Sequence, residues 1–149
     1  MRKSNVWTSV MLVVFLSVFV FGCNKYDKIS ILGEWEIDIK EARNLGASVD
    51  SAKEVLFFLS SPVDSYKQTY KSREGGKFVT WEIKGKIERK NNKITFTNRI
   101  KDEDENNKQG DVTHKYRVEG DKLTLIVEGE GYPDNEKVYT KVAKTVKPD

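Results

Sequence analysis

The sequence predicts a mainly β protein: a small antiparallel meander of seven or eight strands closed into a barrel, with one helix inserted after the first strand. Three observations carry that expectation. Between Ser65 and Val142 the chain divides into runs in which apolar side chains recur at every second position, the period of a half-buried strand, with polar turns and loops between them. Turn signals separate the runs at short, regular intervals: Gly75-Gly76, Asn91-Asn92 and Glu119-Gly120-Asp121. Closing such a meander on itself removes edges that would otherwise pair with other chains.

At the N-terminus, Arg2 and Lys3 precede an apolar run, Val10–Phe21, interrupted only by Ser17 and ending at Gly22-Cys23. A charged start, a short apolar core and a small residue before the cut make a secretory signal peptide over residues 1–22. The core is well short of the roughly 20 residues that cross a bilayer as a helix. Val20-Phe21-Gly22-Cys23 resembles a bacterial lipobox, in which the cysteine is acylated and becomes the mature N-terminus. Phe21 departs from the usual small or β-branched residue, although looser lipoboxes tolerate such bulk. The resemblance makes Cys23 the lipidation site, bearing S-diacylglycerol and an N-linked acyl chain such as palmitate. Two or three acyl chains hold a protein durably where one holds it only reversibly. Residues 23–30 are then an acylated tether, and Asn24, which is not the inner-membrane retention aspartate of enteric bacteria, favours the outer membrane.

The domain spans 31–142. Trp35, Ile37 and Ile39 alternate with Glu34, Glu36 and Asp38 as a first strand. Ser51-Ala52-Lys53-Glu54 has capping-box spacing, and Ala52, Val55, Leu56 and Leu59 share one helical face, so Ser51–Ser61 reads as a helix ended by Pro62. Tyr66, Gln68 and Tyr70 alternate next. Val79, Trp81, Ile83, Gly85 and Ile87 hold one parity, as one long strand bent at Gly85 or two in phase. Ile94, Phe96, Asn98 and Ile100 share a face, then Val112, His114, Tyr116 and Val118, then Leu123, Leu125 and Val127. Lys137–Val142 is the last strand, and 143–149 a frayed tail.

Bulk composition excludes more than it identifies. The full chain carries 26 basic and 23 acidic residues. Loss of Arg2 and Lys3 with the signal leaves 24 basic residues, a near-neutral mature chain that gives no electrostatic reason to bind nucleic acid. The remaining 127 residues suit one core. With a single cysteine, acylated, no disulfide forms.

Gly33-Glu34-Trp35 at the start of the first strand is similar to the Gly-x-Trp that opens lipocalins and related calycin barrels. Gly120-Asp121-Lys122-Leu123-Thr124-Leu125 and Tyr139-Thr140-Lys141 look like the closing pattern of bacterial lipocalin-like domains, many of them lipoproteins. The resemblance implies that a basic residue on the last strand, here Lys141, covers Trp35. The helix position is closer to that of the fatty-acid-binding proteins, but their Arg-x-Tyr is not matched by Tyr139-Thr140-Lys141, so that ligand is not carried over.

Little else carries chemistry. His114 is the one histidine; it lacks a second imidazole or thiol for zinc, and no Gly-x-Ser-x-Gly supplies a nucleophile elbow. Asp102–Asn107 lacks the glycine and glutamate of an EF-hand loop and reads as a solvated hairpin loop. No metal or cofactor is expected. Trp35, Tyr66, Tyr70, Trp81, His114 and Tyr116 all face inward and either line a ligand cavity under a helical lid or fill a solid core. The expectation is a non-catalytic lipoprotein, periplasmic or surface-exposed, whose barrel binds a small apolar ligand or an envelope or host macromolecule. The alternative is a structural or interaction lipoprotein with a solid core. A hydrolase using His114 ranks last.

Overall fold

The computed structural model describes residues 30–60, 64–128 and 131–143. The signal peptide, Cys23, Pro62 and all of the tail beyond Ala143 lie outside the described residues. Among the described residues, nine strands form one antiparallel sheet: β1 (Gly33–Asp38), β2 (Val49–Leu59), β3 (Ser65–Glu74), β4 (Lys77–Lys90), β5 (Lys93–Lys101), β6 (Lys108–Gln109), β7 (Val112–Glu119), β8 (Lys122–Ile126) and β9 (Glu136–Lys141). Sequential neighbours pair, β9 returns to β1, and β5 passes over the two-residue β6 to pair with β7. Eight strands thus close a barrel, with β6 attached only to β5.

The turns behave as their residues dictate. Gly75-Gly76, Asn91-Asn92 and Gly120-Asp121 each link paired strand ends as two-residue hairpin loops, with Gly75, Gly76, Asn91 and Gly120 all at positive φ. β4 is a single long strand with a register shift between Lys84 and Lys86. Gly85 makes that shift possible: a Cβ there would lie 2.5 Å from the Thr97 carbonyl oxygen and 2.9 Å from the Tyr66 ring. The first part of β4, Lys77–Glu82, pairs with β3 alone, because β5 begins its pairing at Ile83.

The predicted helix Ser51–Ser61 is instead β2. Its residues pair on both sides, Gly33–Asp38 of β1 against Lys53–Phe58 and β3 along the whole length. Ala52, Glu54, Leu56 and Phe58 are buried, while Lys53, Val55, Phe57 and Leu59 turn outward, so the supposed helical face is split between two sides of a sheet. Two ladders of backbone hydrogen bonds and the β-favouring Val55, Phe57 and Phe58 override a capping motif worth about 1 kcal/mol. After β1 the chain forms one short helix, α1 (Ile39–Ala42), capped by the Asp38 carboxylate accepting from the Glu41 amide. Among the described residues no helix crosses the mouth as a lid, and Val55 and Leu59 do not face inward.

The core runs the length of the barrel, through Trp35, Leu56, Phe58, Tyr66, Ile94, Leu123 and Tyr139. Trp35 is fully buried, opposite Leu56 on β2 and Lys141 on β9. Its indole N–H donates to the Ile31 carbonyl at 2.8 Å, and Lys141 Nζ lies 5.1 Å from its ring centre. The cover that the resemblance implied is therefore in place.

A buried charged cluster as the candidate functional site

Three side chains that sequence reading did not bring together meet inside the barrel. Glu54 comes from β2, and Lys137 and Tyr139 from the inward-facing positions of β9. Lys137 Nζ donates to both Glu54 carboxylate oxygens, at 3.1 and 3.2 Å, and the Tyr139 hydroxyl donates to one of them. Glu54 is 4% exposed and Lys137 7%. A buried charge on its own is costly, and only a partner with good hydrogen bonds offsets the lost hydration. Here the carboxylate accepts three such bonds. Lys137 also sits 5.2 Å from the centre of the Tyr132 ring, which Arg43 approaches at 5.4 Å. Among the described residues, no buried side-chain nitrogen or oxygen lacks a partner.

Beside the cluster lies a small cavity of about 70 Å³, whose polar lining is Gln68, Arg99, His114, Lys137 and Tyr139. Arg99 reaches it because Asn98 adopts positive φ, φ 49°, which breaks the strand's alternation. The predicted face Ile94, Phe96, Asn98, Ile100 therefore ends at Phe96, and Arg99 turns inward. Its guanidinium donates to the Tyr66 hydroxyl at 3.2 Å and to the Gly110 carbonyl at 2.7 Å. Burial pushes the Tyr66 hydroxyl above the usual tyrosine range, the Arg99 hydrogen bond and charge pull it back, and Asp111 adds a smaller upward push.

The six inward residues expected from sequence take different places. His114 lines the cavity, opposite Ile94 in register and with its ring 6.2 Å from Phe96. Tyr66 packs edge-on to Phe96 at 4.7 Å. Tyr70 and Trp81 stack on each other at 5.1 Å, half-buried, with Lys101 5.7 Å from the Trp81 ring. Trp35 and Tyr116 are buried in the core and do not border the cavity. The acidic stretch Asp102–Asn107 is an exposed loop, apart from half-buried Asn107, and its Glu103 pairs with Lys84. That contact lowers the Glu103 carboxyl and raises the Lys84 ammonium from their ordinary ranges.

Sequence signals for the missed residues exist. Lys137 shares the parity of Tyr139, and Glu54 shares that of Ala52, Leu56 and Phe58, once 49–59 is read as a strand. The helical reading hides Glu54. Arg99 has no such signal, since its orientation depends on the backbone of Asn98. Compared with protein-family models, with curated proteins and with solved structures, the chain matches none. The closed eight-stranded antiparallel barrel is compatible with a lipocalin-like fold.

Proposed function

We propose that the chain is a non-catalytic, membrane-anchored lipoprotein of the solid-core kind, an interaction module that presents the outside of its barrel to partners. The single observation that carries the choice is the filled interior. Among the described residues, the cavity beside the Glu54–Lys137–Tyr139 cluster holds about 70 Å³, against the roughly 300 Å³ at which ligand pockets begin. That space suits a few waters held by Gln68, Arg99 and His114. Support for a role without catalysis comes from the cavity lining, which carries no serine, threonine or cysteine beside His114. Anchoring rests on the lipobox-like Val20–Cys23.

Two measurements test this reading. Titrating an apolar fluorescent probe into the protein should give no saturable interior binding; saturation that His114→Ala abolishes would restore the ligand-cavity alternative. Cys23→Ala should release the protein from the detergent phase, and acyl mass persisting on that variant would refute the anchor.

A further inference from the structure

β2 carries a stripe that its strand alternation does not require. Val55, Phe57 and Leu59 face outward and are half-buried, where the exposed positions of the same strand are Asp50, Ser51 and Lys53. Phe57 lies between two apolar hollows. One, of about 770 Å³, runs past Leu32, Phe57, Leu59 and Val142; the other, of about 360 Å³, lies between Phe57, Leu59, Tyr66 and Gly85. Leu32 is 47% exposed and extends the stripe to the point where the described chain begins, at Ser30. The stripe thus reaches to within two residues of Ser30, from which the sequence leads back to Cys23.

We propose that this wall seats on the lipid bilayer, with Leu32, Phe57 and Leu59 entering the boundary between headgroups and acyl chains. The inference rests on the lipoprotein reading for its geometry. Six residues, 24–29, lie between Cys23 and Ser30, so the seven steps between them span at most about 24 Å when fully extended. An anchor that short keeps the wall within reach of the membrane at all times. Shallow burial of an apolar face is what holds a surface element at a membrane. Lys67, Lys84 and Lys141 border the hollows, with Lys67 and Lys84 held by Glu82 and Lys141 held over the Trp35 ring. Glu34, opposite Phe57 in register, and Asp121 line the larger hollow as well, and their carboxylates lie at headgroup level when the wall is seated. Seating this wall turns the far end of the barrel, with the β3–β4 hairpin at Gly75-Gly76, away from the surface.

The test uses the full chain, with a nitroxide label on a cysteine placed at Lys67 beside the stripe or at Lys77 on the far hairpin. Vesicles of phosphatidylethanolamine and phosphatidylglycerol supply the membrane. The expected result is high oxygen and low aqueous-quencher accessibility at 67, the reverse at 77, and at least a threefold loss of the contrast on Phe57→Asp. Circular dichroism and the unchanged signal at 77 show that the variant is folded. Equal aqueous accessibility at 67 and 77 would overturn the proposal. So would spin–spin broadening at 67 that grows with protein concentration, because a second copy would then cover the stripe. The acyl mass on Cys23 is read separately. If it is absent, the lipoprotein reading fails, and the label at 67 is read on protein added to the same vesicles, where immersion sustains the docking surface and aqueous exposure rejects it.

Discussion

Lys137→Met would leave the Glu54 carboxylate buried in the barrel with Tyr139 as its remaining side-chain hydrogen-bond donor among the described residues. Removing one member of a buried ion pair typically costs about 3–5 kcal/mol, because the other charge stays desolvated. The geometry places this variant at the upper end, since two of the three bonds to Glu54 disappear together. Glu54→Leu should cost less, because Lys137 keeps the face of Tyr132 at 5.2 Å, a contact worth about 1–2 kcal/mol when desolvated. The double variant Glu54→Leu/Lys137→Met removes both charges and should return to within about 2 kcal/mol of the parent. Urea unfolding followed by the fluorescence of Trp35 and Trp81 gives all four corners of the cycle. Domain stabilities of about 5–15 kcal/mol leave room to see each change. Additive single effects, or a Lys137→Met cost under about 1 kcal/mol, would refute the claim that the pair is buried and mutually dependent.

Three further variants and titrations probe the rest of the barrel. Trp35→Ala should destabilise it by about 3–5 kcal/mol in urea, since it empties a fully buried site under Lys141; a loss under about 1 kcal/mol would mean the ring is not packed as described. Gly85→Ala should cost about 1–3 kcal/mol through the clash with the Thr97 carbonyl and the Tyr66 ring, and a neutral effect on the melting temperature would contradict the bulge. Tyr66 should titrate above the usual tyrosine range in a carbon-13 NMR titration. Its raised value means the associated stability is fully present below the unfolded tyrosine value, near pH 10, and is lost as pH rises through the folded one. An ordinary or depressed Tyr66 titration would remove the burial argument.

The parts of this fold that are legible in the sequence are those governed by local rules. Alternation within the strands after Ser65, apart from the end of β5, the turns at Gly75-Gly76, Asn91-Asn92 and around Gly120, and the inward tryptophan of Gly33-Glu34-Trp35 each depend on what two or three neighbouring residues can do. The barrel's closure is legible too, because an open meander of this length would expose edges. Segment 49–59 is not. Its side chains satisfy both a helical and an alternating pattern, and the choice is made by β1 and β3, which supply ladders on both of its edges. Local propensity through Val55, Phe57 and Phe58 leans to strand, but partners distant in sequence make the choice.

The same division holds for the site. Alternation alone places Tyr66, His114 and Tyr116 inward, and the residues before Cys23 mark it as the one to test for lipidation. Only the closed barrel brings Glu54 to Lys137 and Tyr139 across 83 and 85 residues of chain, and only the backbone at Asn98 turns Arg99 inward. A buried charge is tolerable only beside its partner, and partners on distant strands are identified by register, which depends on the closed sheet as a whole.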